Sequence, residues 1–87
     1  RPPAVAITVR AEAHERAMAL LNDVPGVRAV EVAGQVNGVA NLRVVPANGN
    51  AIVADVGAVL SRHGVPLEDL RVERPRLDEV FRQITAQ

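Results

Sequence analysis

The sequence predicts an α+β fold, in which two helices cover one face of a four-stranded antiparallel sheet. Three observations predict it: apolar residues alternate near the start of the chain, helical spacing occurs twice, and Asn37-Gly38 separates two further apolar segments. Apolar residues make up 48% of the 87 residues, which suits one small domain with a single core.

The first strand and the first helix follow from the spacing of apolar residues. Val5, Ile7 and Val9 alternate with small or polar residues, which is the period of a strand with one buried face. Helical spacing follows and stops at Pro25-Gly26. The apolar stripe of this helix is formed by Ala13, Ala17, Leu20, Leu21 and Val24.

The next two strands are predicted at residues 27–33, with Val30 and Val32 facing the core, and at 39–45, around a hairpin signal at Asn37-Gly38. A two-residue turn there would pair Val32 with Arg43 and leave Val32 and Leu42 on opposite faces. We therefore expect an odd-length loop or a bulge near Gly34, and not a clean two-residue turn.

A second helix is predicted after Asn50, which is a good N-cap residue, and Gly64 is expected just beyond its end. Its apolar stripe comprises Ile52, Val56, Val59, Leu60 and His63. Leu70 and Val72 indicate a fourth strand. A short amphipathic helix is predicted to follow, because Leu77, Val80, Phe81 and Ile84 fall at i, i+3, i+4 and i+7.

This element order, β-α-β-β-α-β, is that of the ferredoxin-like fold, to which an extra C-terminal helix is added. We predict a linker remnant at residues 1–3, because the chain begins Arg-Pro-Pro without a Met. Residues 4–74 then form the ferredoxin-like domain, and residues 75–87 form its C-terminal helix. The beginning suggests a piece of a longer protein.

Composition argues against the common catalytic motifs. All ten basic residues are Arg, so a P-loop, which needs a Lys, cannot be present. There is no Cys, and His14 and His63 lie on different predicted helices. Ser61 lacks a nucleophile motif around it. We therefore expect no catalytic, cofactor-binding or metal-binding residue in this chain.

Nucleic acid is not an expected partner. The ten basic residues balance ten acidic ones, so the chain has no general positive field. Phe81 is the only aromatic residue, and no predicted strand offers an aromatic side chain on which a base could stack.

The end of the chain carries a motif, E-R-P-R-L-D-E-V-F-R-Q-I-T over residues 73–85. Upstream, Pro25-Gly26-Val27 is followed by Val30. Together these resemble the accessory domain that closes the ATP-binding subunits of ABC-2-type exporters, where a Pro-Gly-Val precedes the second strand. There the last strand is followed by Pro, an L-[ED]-[DE]-V-F sequence and a hydrophobic-Thr pair. The chain departs from that pattern at Arg76, where the family often has Ser or Thr as a helix cap.

The resemblance implies a non-catalytic regulatory or interaction domain at the C-terminus of an ABC transporter ATPase. ATP and Mg²⁺ would bind an upstream nucleotide-binding domain, so none is expected here. The implied partners are that upstream domain, the transmembrane permease subunit and a second copy of the ATPase subunit. The implied location is cytoplasmic, peripheral to the inner membrane.

The candidate interaction surface is the apolar stripe of the last helix, Leu77, Val80, Phe81 and Ile84, if the stripe is not used to close the domain's own core. Two other hypotheses remain open. One is a regulatory domain of the ACT type that binds a small molecule, although the turn after the first strand lacks the Gly that such domains often have. The other is a homo-oligomerisation module that uses the last helix or a sheet edge.

Overall fold

The computed structural model describes residues 3–47 and 51–73, which form four strands and two α-helices. A single 3₁₀ turn, Ala11–Ala13, leads into the first helix. The elements in chain order are β1 (Val5–Arg10), α1 (His14–Asn22), β2 (Val27–Val36), β3 (Val39–Pro46), α2 (Val53–Arg62) and β4 (Asp69–Val72). The predicted α+β class, with four antiparallel strands and two helices, is therefore confirmed.

The four strands form one sheet in the order β2-β3-β1-β4, and every neighbouring pair is antiparallel. Each β-α-β unit is consequently split by a strand of the other unit. β3 lies between β1 and β2, while β1 lies between β3 and β4. The two central strands, β1 and β3, belong to different halves of the chain and join them into one sheet.

The β2–β3 hairpin places Val32 and Leu42 on the same face of the sheet, and the sequence predicted only part of how this is achieved. Asn37 and Gly38 form a two-residue turn with φ of 53° and 81°, so of the two expected alternatives the structure does not use the odd-length loop. The predicted bulge near Gly34 is confirmed, because the register shifts between Val32 and Gly34. This shift moves Val32 opposite Leu42, on the helix-covered side of the sheet.

The core lies between the helices and one face of the sheet, as the alternation predicted. Its strand side chains are at most 1% exposed: Val5, Ile7, Val9, Ala40, Leu42 and Val44. They pack against Ala17 and Leu21 of α1 and against Val56 and Leu60 of α2. Two helices therefore close this face without any buried polar residue among the described residues.

Val32 differs from its prediction as a core residue. It shares the helix-covered side with Leu42, yet it is 45% exposed, because it lies on the edge strand beyond the packed cluster. Val30, one pair further along, does pack against that cluster. The alternation predicted the face of Val32 correctly and its burial incorrectly.

The ends of α2 show one confirmed and one wrong prediction. Gly64 adopts φ of 71° directly after the helix; its N–H donates to Ser61, and the N–H of Val65 donates to Leu60. These two bonds make a Schellman motif, as the glycine predicted. The N-cap position falls on Ile52, with no side-chain cap hydrogen bond, and not on the predicted Asn50, which lies outside the described residues.

Two predicted segments lie largely outside the described residues. The C-terminal helix at 75–87 is one, and the linker remnant at 1–3 is described only at Pro3, which is exposed. Within residues 3–47 and 51–73, neither helix has the length and apolar character that a membrane crossing requires.

Candidate interaction surface

The predicted surface residues Leu77, Val80, Phe81 and Ile84 lie outside the described residues. Of the C-terminal motif, the structure describes only Glu73, which directly follows β4. The described residues present two other surfaces: the face of the sheet opposite the helices, called the open face, and the β4 edge beside it.

Arg43 is the centre of the open face. Its Nε donates to Glu73 Oε1 at 2.9 Å, and its Nη1 lies 3.4 Å from Glu31 Oε1. The strand order explains this arrangement, since β3 has β2 on one side and β1 on the other, with β4 just beyond. One guanidinium thus connects the two edge regions across the sheet.

The two carboxylates stabilise the cation on Arg43. The hydrogen bond that Arg43 donates to Glu73 is the main cause of the raised pKa of Arg43, and the negative charges of Glu73 and then Glu31 raise it further. About 40% of each side chain of the Arg43–Glu73 pair is exposed, so solvent screens the attraction. The pair therefore orients the side chains more than it stabilises the fold.

A second polar contact joins the two central strands. The hydroxyl of Thr8 donates to Asn41 Oδ1 at 2.8 Å, between residues that are directly opposite in the β1–β3 register. Such cross-strand pairs are the local unit of sheet stabilisation. The middle of the open face is therefore polar, in contrast to the aliphatic middle of the covered face.

The end of β1 carries an exposed ion pair, in which Arg10 Nε lies 2.8 Å from Glu12 Oε2. The hydrogen bond from Arg10 is the main reason that the pKa of Glu12 is lowered, and the same pair raises the pKa of Arg10. Both groups are accessible to solvent, so they form part of the charged rim of the open face.

The two edges of the sheet differ in regularity. Along β2, register shifts between Val27 and Ala29 and between Val32 and Gly34 interrupt the ladder. Along β4, the pairing with β1 runs without a shift. Bulges are one of the ways in which proteins prevent an edge from pairing with another strand, so β4 is the less protected edge.

Two shallow grooves flank α2. One, of about 410 Å³, lies between α2 and the segment leading to β4, and is lined by Gly57, Ser61, Gly64, Val65, Pro66 and Leu67. The other, of about 350 Å³, lies between the end of α1 and α2. Ser61, the single serine of the sequence, opens onto the first groove, and none of the described residues that line this groove is a histidine or a carboxylate.

The two histidines make backbone contacts. His14 Nδ1 lies 2.9 Å from the Ala11 carbonyl oxygen, and the carbonyl of His63 accepts a hydrogen bond from Arg16 at 3.0 Å. His14 is half-buried. In the described part of the chain, no three His, Asp or Glu side chains come together as a candidate metal site.

Sequence reasoning missed the charge pairs of the open face. The approach of Arg43 to Glu73 depends on the strand order, which periodicity along the chain does not reveal. Glu31 is opposite Arg43 only because of the bulge after Val32. A local signal exists only for the pairs that are two residues apart, Arg10 with Glu12 and Asp69 with Arg71, and Arg71 Nε lies 3.1 Å from Asp69 Oδ2.

Comparison with known proteins does not assign the chain to a family: no family model matches it, and no curated protein gives a significant match.

Proposed function

We propose that this chain is a non-catalytic C-terminal regulatory or interaction domain of the ATP-binding subunit of an ABC-2-type exporter. ATP and Mg²⁺ would bind the upstream nucleotide-binding domain of the parent, which would be cytoplasmic and peripheral to the inner membrane through its permease. The role of this domain would be to contact the upstream domain, the permease or a second ATPase subunit.

The observation that carries the proposal is the position of the two motif landmarks in the fold. Pro25 and Gly26 lie in the turn that follows α1, where Gly26 has φ of 93°. Val27 is the first residue of β2. The resemblance implies a Pro-Gly-Val at this position. β4 ends at Val72, directly before the motif that begins at Glu73. A strand immediately before that motif is also what the resemblance implies.

We further propose that the domain is ferredoxin-like. The support is that each β-α-β unit is split by a strand of the other unit, which is the arrangement that defines this fold. The second support is that both helices pack on one face of the sheet around a single core. The extra C-terminal helix, at residues 75–87, remains a prediction from the sequence.

The upstream gene sequence is the first test. We expect the reading frame that contains this chain to encode a G-x-x-x-x-G-K-[ST] P-loop before Arg1. A frame without such a motif would overturn the proposal, because the proposed parent must contain its own ATP site.

The second test uses the parent protein with residues 4–87 deleted. ATP hydrolysis by the isolated subunit should persist, while its association with the permease or with a second subunit should weaken. Within the intact parent, Phe81→Ala should reproduce the loss of association. Val36→Ala is the matched control, since it also truncates an apolar side chain and Val36 is 62% exposed at the hairpin. Loss of hydrolysis on deletion, with association intact, would contradict the proposal.

A further inference from the structure

We propose that the β4 edge is a self-association surface, on which β4 of a second copy of this chain pairs antiparallel about a two-fold axis at Leu70. This inference goes beyond the proposed function, because it concerns the chain itself and does not depend on the identity of the parent.

The edge is accessible and regular. β4 is the last strand of the described sheet, and its register with β1 is continuous from Asp69 to Val72. The side chains of Asp69 and Arg71 are 53% and 70% exposed, and Val72 is 39% exposed. A strand with an uninterrupted row of backbone groups is a template for another strand.

The backbone groups available for such pairing belong to Leu70 and Val72. Glu73 donates its N–H to Ala4, and in an antiparallel ladder the bonded residues alternate. Arg71 therefore bonds to Ala6, its register partner, and the N–H and C=O groups of Leu70 and Val72 point away from β1. A two-fold axis at Leu70 would pair Leu70 with its counterpart, and the N–H of each Leu70 would donate to the carbonyl of the other.

The charges on this edge are self-complementary in the same register. With the axis at Leu70, Asp69 of one copy stands opposite Arg71 of the other, and the reverse holds at the symmetric position. These are non-hydrogen-bonded pairs, in which opposite side chains approach most closely. Within each copy, Asp69 and Arg71 already form an ion pair at 3.1 Å. In the dimer, these two residues from both copies would form a cluster of four charges in which neighbours have opposite signs.

Apolar contact accompanies the charges on the other face of the strand. Leu70 and Val72 point to the helix-covered side, where Leu70 packs at the margin of the core and Val72 is exposed. Pairing would bring the two Leu70 side chains together and cover part of Val72. Because β4 has four residues, the interface is small, and we expect the dimer to form only as protein concentration rises.

The test is sedimentation equilibrium of the 87-residue chain and its charge variants over a wide concentration range. The unsubstituted 87-residue chain should show a reversible monomer–dimer equilibrium. Asp69→Arg or Arg71→Asp alone should weaken it by roughly tenfold or more, because each converts attractive cross-strand pairs into repulsive ones. An equimolar mixture of the two single variants should form a heterodimer, since every opposing pair is then again one cation and one anion.

Glu12→Arg is the matched control, because it makes the same charge change as Asp69→Arg in an exposed ion pair away from β4. It should leave the dimer unchanged. Far-UV circular dichroism of each variant checks that the fold is retained. The proposal is overturned if the unsubstituted chain stays monomeric at every concentration. It is also overturned by single variants that dimerise normally, or by a folded mixture that does not associate.

Discussion

The two faces of the sheet differ in the interactions that hold them. On the covered face, aliphatic side chains such as Ile7 and Leu42 are almost completely shielded by two helices. On the open face, Arg43 and Thr8 make polar contacts that solvent reaches. Burial of apolar area is the main source of stability, whereas exposed ion pairs contribute little. One face should therefore determine whether the domain folds, and the other which surface it presents.

Substitution of two neighbouring residues on β3 tests this contrast with the largest expected effect. Leu42→Ala should lower the free energy of unfolding by about 3 kcal/mol, because it leaves a cavity in a closed core. Arg43→Met, one residue along and on the opposite face, should cost much less than Leu42→Ala, because solvent screens the ion pairs of Arg43. Urea unfolding followed by circular dichroism measures both. Similar losses for the two variants would contradict the division between faces.

Substitution of two glycines, Gly57 in α2 and Gly64 just beyond it, should change the free energy of unfolding by smaller amounts and in opposite directions. Gly64→Ala should destabilise by about 1 kcal/mol, because φ of 71° is unfavourable for a residue with a Cβ. Gly57→Ala, inside α2, should stabilise by about 0.8 kcal/mol, since alanine is the better helix former. Among the described residues, a Cβ at either position meets no atom within 4 Å apart from its adjacent backbone, so clashes with other elements play no part.

Thermal unfolding of the two glycine variants gives the measurement. The melting temperature should fall for Gly64→Ala and rise for Gly57→Ala. A fall in both would mean that packing around α2 requires glycine at position 57, although Gly57 lines an open groove.

The smallest effect is the pH dependence of the rim pair Arg10–Glu12. The pKa of Glu12 is lowered mainly by the hydrogen bond from Arg10, so the pair's contribution is present above the ordinary glutamate pKa of about 4.3. It is lost as the pH falls through the lower folded value. Carbon-13 NMR of the Glu12 carboxyl should show this depression, and Arg10→Gln should raise the pKa back toward its ordinary value.

The buried residues in the described part of the chain are all apolar, so the covered face should add nothing to this titration. A Glu12 pKa that does not change in Arg10→Gln would mean that the ion pair does not form in solution.

Much of the covered face could be predicted from the sequence. Alternation in β1 and helical spacing in α2 depend on the same burial that forms the core, so Ile7 and Leu60 were identifiable from their neighbours alone. The register argument at Val32 also predicted the bulge, although the turn at Asn37-Gly38 proved to have two residues. These features depend on local pattern and on backbone chemistry.

The remaining features depend on the order of the strands in space. Periodicity could not predict that Arg43 reaches Glu73, because this contact requires β1 to separate β3 from β4. Helix starts were also poorly predicted, since neither α1 nor α2 has a side-chain cap hydrogen bond and the N-cap position of α2 falls on Ile52. The candidate surface at Leu77, Val80, Phe81 and Ile84 stays a prediction from the sequence.

The split arrangement of the sheet also has a consequence for synthesis on the ribosome. β1 emerges first, but its two neighbours in the sheet, β3 and β4, are made much later; Thr8 and Asn41, for example, are 33 positions apart. Of the three pairings in the described sheet, only the β2–β3 hairpin is local in sequence. Non-local pairing slows folding, because the chain between the strands must be ordered before contacts form. The β2–β3 hairpin should therefore form early in the nascent chain, whereas β1 cannot complete its pairing until β4 has left the exit tunnel.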